Sequence, residues 1–105
     1  MAAEQKQLKI RTAVVKRLVK EKISYEKEAV EQEAKVQKLK DEGADEYVVK
    51  KQIECLEETR TVLPDCQRRI ATAIDDLKAL VRANESLKET DEYKAAVEQL
   101  ESVEY

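Results

Sequence analysis

Residues 46–83 read EYVVKKQIECLEETRTVLPDCQRRIATAIDDLKALVRA, and within them Val49, Leu56, Leu63, Ile70 and Leu77 recur every seven positions with no polar interruption. That period marks a helix packed along its length on another helix. The partner lies upstream, where the row Leu8, Val15, Lys22, Ala29, Val36 runs beside the row Arg11, Leu18, Tyr25, Gln32, Leu39. Between the two sits Asp41-Glu42-Gly43-Ala44-Asp45. Gly43 suits the left-handed position after a helix, and Asp45 suits the N-cap of the next. Folding the chain about Gly43, so that paired residue numbers sum to 88, sets Leu39 on Val49, Gln32 on Leu56, Tyr25 on Leu63, Leu18 on Ile70 and Leu8 on Leu80. The pattern predicts an antiparallel coiled-coil hairpin with left-handed crossing. Each arm of some 38 residues extends about 57 Å at about 1.5 Å per residue.

The half of the hairpin away from Gly43 carries apolar residues outside the seam: Ile10, Val14, Val19, Ile23, Ile74 and Val81. A short third helix offering Tyr93, Ala96, Val97, Leu100 and Val103 at helical spacing is expected to cover them. Its start is signalled twice, by Ser86 with Glu89 three residues on and by Thr90. The expected architecture is therefore all-α: one domain, an elongated antiparallel three-helix bundle, with helices at about 5–42, 46–83 and from 87 or 91 to 103. Pro64 either kinks the second helix or breaks it in two. The kink is the better reading, because the row Leu56, Leu63, Ile70 keeps its register through the proline and an inserted loop would have shifted it.

Composition agrees with this architecture and removes most other functions. Ala, Leu, Glu, Lys and Arg supply 58 of the 105 residues, 41% of the chain is charged, and there is one Gly, one Pro, no His, no Trp and no Phe. Turn-rich β folds and dinucleotide folds do not fit such a chain, and a single glycine cannot build a phosphate-cradling loop. Without histidine, and with Cys55 and Cys66 about 16 Å apart along one helix, zinc, haem and iron–sulfur sites and His-dependent nucleophiles lack their residues. The same separation forbids a disulfide, and two free thiols suit a reducing compartment. Asp75-Asp76 and Glu57-Glu58 point about 100° apart on a helix and read as solvated surface. No run of consecutive apolar residues exceeds three, so neither a secretory leader nor a membrane span is expected. The chain reads as a cytoplasmic interaction module, neither an enzyme nor dependent on a cofactor or metal.

Charge is unevenly placed. Residues 1–22 carry seven basic and two acidic side chains, and residues 83–105 carry two basic and seven acidic. The expected topology lays the acidic third helix beside the basic first one, so the two neutralise each other. Nucleic acid is not an expected partner, because the net charge is −3 and no aromatic stacking platform is available.

Four words in the sequence go beyond helical periodicity: VVKRLVKEK at 14–22, YEKEA at 25–29, LPDCQRR at 63–69 and EYK at 92–94. In their order across all three helices the chain resembles the tubulin-binding cofactor A family. The run from Leu63 to Arg69 is the specific one, since a proline followed by Asp-Cys-Gln-Arg-Arg inside a helix has no generic cause. The resemblance implies a three-helix bundle, monomer or homodimer, that captures and stabilises β-tubulin after its release from the cytosolic chaperonin, without nucleotide chemistry. It implies a cytoplasmic, cytoskeleton-associated protein with no membrane or nucleic-acid partner. Candidate partner-binding residues on these words are Asp65, Gln67, Arg68 and Arg69, with Lys16, Arg17, Lys20 and Lys22. The first-helix cations have a competing use in pairing with helix three, and Arg68 and Arg69 have one in pairing within the bundle. Cys66, at helical spacing from Leu63 and Ile70, reads as a small core filler. The competing class is a self-associating coiled-coil adaptor or spacer, with Val30 and Val48 near the turn as a dimer patch.

Overall fold

The computed structural model of the chain describes residues 3–103. It contains α1 (Ala3–Asp41), α2 (Glu46–Ala83) and α3 (Asp91–Ser102), with one 3-10 turn at Glu85–Leu87 ahead of α3 and no strand among the described residues.

The ends of these helices are made by the residues expected to make them. Gly43 has φ +69° and carries a Schellman closure: its N–H donates to the carbonyl of Lys40, and the N–H of Ala44 donates to that of Leu39. Asp45 caps α2, its Oδ1 accepting the Tyr47 N–H at 2.7 Å. The two signals for α3 are resolved in favour of Thr90. Its Oγ1 accepts the Tyr93 N–H while donating to the Leu87 carbonyl at 2.7 Å. Ser86 falls inside the 3-10 turn and starts no helix. α1 ends at Asp41, with Glu42 in the turn. α2 stays one helix through Pro64, which is exposed.

The chain forms two compact units: residues 1–20 with 68–105, and residues 21–67. The first is a three-helix unit. Leu8, Val15 and Leu18 of α1, Ile70, Ala73, Ile74 and Leu77 of α2, and Ala96 of α3 form its core. Val14, Val19, Val81, Tyr93, Leu100 and Val103 pack around them. Burying each of the larger side chains contributes about 1.5–3 kcal/mol. Thr12, buried at the same level, is satisfied by donating to the Leu8 carbonyl at 2.7 Å.

The second is a two-helix unit, and its core is smaller: Ala29, Val36 and Leu56, with Ile53 against them. Arg60 Nη2 bonds Glu33 Oε1 across it. Thr59 donates to the Cys55 carbonyl, and the Oε1 atom of Gln32, a seam residue, is buried without a hydrogen-bond partner.

One expectation is overturned. Ile10 and Ile23 are not covered: they are 43% and 58% exposed, and Val14, though packed on the core, borders an open groove that contains no α3 residue. α3 has only 12 residues, on the order of 18 Å, and between it and α1 lies a depression lined on the α1 side by Lys9, Thr12, Ala13 and Lys16. Ile10 is not among the residues lining that depression, and Ile23 belongs to the two-helix unit.

Candidate partner-binding surface

Within the three-helix unit, α1 and α2 leave an open groove of about 420 Å3 on the side away from α3. Its position follows from the heptads. Leu18 and Ala73 are seam residues, and the positions flanking them on that side are Val14 and Arg17 on α1 and Arg69 and Asp76 on α2. No third helix closes this side, so long cationic side chains border a floor of small and aliphatic ones. Arg11, Arg17, Arg68 and Arg69 all line the groove. A single carboxylate, Asp76, lies among its lining residues, and Arg11 Nη1 is 3.9 Å from Asp76 Oδ2 with both side chains about half exposed. Guanidinium groups gathered in this way suit bidentate recognition of carboxylates.

The eight candidate residues are thereby sorted. Arg17, Arg68 and Arg69 come together on the groove. Lys16 turns instead to a depression shared with α3, lined also by Lys9, Thr12, Asp91 and Glu92. Basic residues of α1 and acidic residues of α3 border this depression, and Gln5 Nε2 donates to Glu92 Oε2. Lys20 is exposed on the three-helix unit. Lys22, Asp65 and Gln67 belong to the two-helix unit, Lys22 and Asp65 half-buried and Gln67 exposed. Cys66 is buried and Cys55 exposed.

Residues 3–100 match the family model described as tubulin binding cofactor A. The chain belongs to the tubulin binding cofactor A family. A rat protein named tubulin-specific chaperone A is 51% identical over 98 residues, which are 93% of this chain and 91% of its own. A solved structure described as human tubulin chaperone cofactor A superposes with a TM-score of 0.80 at 46% identity, covering 94% of this chain and 96% of that one. The crystal structure of tubulin folding cofactor A from Arabidopsis thaliana gives a TM-score of 0.86 at 40% identity, with 95% and 94% covered.

In this chain the groove holds two residues that were not among the sequence candidates, Arg11 and Asp76. Both left a trace. Arg11 is the one cation in its seam row, and the register that sums to 88 places it beside Leu77, the neighbour of Asp76. Among the described residues no cluster of His, Cys, Asp and Glu could hold a metal ion, and no helix is long and apolar enough to cross a membrane.

Proposed function

We propose that the chain is a tubulin-folding cofactor that captures and stabilises β-tubulin released from the cytosolic chaperonin, working in the cytoplasm in association with the cytoskeleton and without catalysis or nucleotide chemistry. The match of residues 3–100 to the tubulin binding cofactor A family carries this reading. Binding a non-assembled client lowers its free concentration by mass action, which needs a surface and no reactive group. The surface best suited to the contact is the groove of Arg17, Arg68 and Arg69, Arg being the charged residue most enriched at energetic centres of interfaces. Asp65, Gln67, Lys20 and Lys22 extend the candidate set, and Lys16 lies apart from the groove, on a depression beside α3.

The test is capture of β-tubulin by the purified chain, read as a stoichiometric complex in a pull-down and repeated without added nucleotide. Arg68→Glu with Arg69→Glu is expected to reduce capture by at least tenfold while helicity is retained. Undiminished capture by the folded double variant would remove the groove from the contact, and no complex with the wild-type chain would end the reading.

A second reading, self-association as a coiled-coil adaptor, is favoured by one observation. The two-helix unit leaves Ile23, Val30, Tyr47, Val48 and Val62 exposed. Val30 and Val48 do not make one patch, because their heptad positions fall on opposite sides of the α1–α2 seam. Sedimentation at micromolar concentration separates monomer from homodimer.

A further inference from the structure

The arginine groove is specific about what it can hold. Its cations stand around Val14, Leu18 and Ala73, so an occupant is met by guanidinium groups at the rim and by aliphatic carbon at the floor. A phosphate chain would use the charge and leave the floor uncovered. An uncharged amphipathic helix would do the reverse. A peptide in which carboxylates alternate with Leu or Val satisfies both.

The groove also contains its own carboxylate. Asp76 sits 3.9 Å from Arg11 in a half-exposed pair, the kind that contributes little to folding. Arg17, Arg68 and Arg69 each already have an interaction within the chain as well. An arriving carboxylate therefore exchanges with existing interactions, and binding remains reversible.

We propose that this groove seats an acidic, aliphatic-containing segment of the client polypeptide, and that Asp76 is an internal competitor that weakens the grip and so permits release. The identity of the client rests on the holdase reading above; the chemistry of the groove does not. In the free protein Asp76 neutralises Arg11. In the complex its charge faces the incoming carboxylates, and it must either yield Arg11 or repel them.

The probe is a fluorescein-labelled octapeptide of sequence ELEELEEL, titrated with the full-length protein by fluorescence anisotropy at low salt. The isosteric change Asp76→Asn removes the competing charge, and a gain of about three- to tenfold in peptide affinity is expected. A variant that merely failed to fold could not produce such a gain. Arg68→Gln with Arg69→Gln is expected to cost tenfold or more, and the peptide KLKKLKKL is expected not to bind. In a parallel pull-down, Asp76→Asn is expected to retain β-tubulin longer than wild type.

Unchanged or weaker peptide binding by Asp76→Asn overturns the competitor role. Displacement of the acidic peptide by inorganic tripolyphosphate or a short single-stranded oligonucleotide at equal or lower concentration overturns the choice of a peptide. Peptide binding that follows the variants while β-tubulin retention ignores Asp76→Asn overturns the client as occupant. Failure of the wild-type chain to capture β-tubulin is a different result: it ends the holdase reading, and the peptide titration still decides what the groove binds.

Discussion

Truncating two isoleucines with the same chemistry should give opposite results, and the contrast tests how far the third helix reaches. Ile70 is completely buried between α1 and α2 in the three-helix core, whereas Ile23 on α1 is 58% exposed. Ile70→Ala removes three buried carbons and leaves a cavity in the core it shares with Leu18 and Leu77, which costs about 2–5 kcal/mol. Ile23→Ala loses little burial and gains the better helix propensity of alanine, so its cost should stay within about 0.5 kcal/mol. The gap between the two is at least about 1.5 kcal/mol. Urea unfolding followed by helical circular dichroism measures it directly. In a chain of this size the Ile70 variant should also melt about 8 °C or more below wild type, taking about 4–8 °C per kcal/mol. Equal destabilisation by the two changes would refute the reasoning, because Ile23 would then be covered in solution. If that destabilisation faded on dilution, a second copy would be the cover.

Other expectations are smaller. Gly43→Ala places a Cβ where no atom lies within 4 Å, so the cost is the left-handed backbone alone, about 1–2 kcal/mol. Gly43→Asn should lose less in the same urea titration. Thr90→Ala removes the α3 cap and should cost about 1 kcal/mol, with amide exchange in the first turn of α3 accelerating before that of α1 or α2. Capture of β-tubulin should weaken several-fold between low and physiological salt, read from pull-downs across a salt series; salt-independent capture would point to an apolar contact in place of the arginines.

The helix ends were legible because each is made by one residue acting on its own neighbours. Gly43 needs only its missing Cβ, Asp45 its carboxylate and Thr90 its hydroxyl. The seam was legible because a seven-residue row leaves no other way to bury Leu8, Val15, Ile70 and Leu77. The extent of α3 was harder to read. Periodicity shows which side chains leave the seam but neither which side of it a third helix takes nor how far a neighbour of 12 residues reaches, and so Ile10 and Ile23 were assigned a cover they lack. The groove was half legible. Arg17, Arg68 and Arg69 stood on distinctive words, but Arg11 looked like a flaw in a hydrophobic row and Asp76 like one of two solvated acids. Only the side-by-side placement of α1 and α2 makes them a pair.

Leu18 and Ala73 belong to two structures at once, the hydrophobic core of the three-helix unit and the floor of the arginine groove. The floor therefore cannot be altered independently of the core. A larger side chain at position 73 would raise the floor under the guanidinium groups, and a smaller one at position 18 would both deepen it and loosen the helices. Variants selected only for heat resistance at these two positions would therefore change grip on the client as a by-product, so tolerance to mutation here is set by recognition as much as by folding.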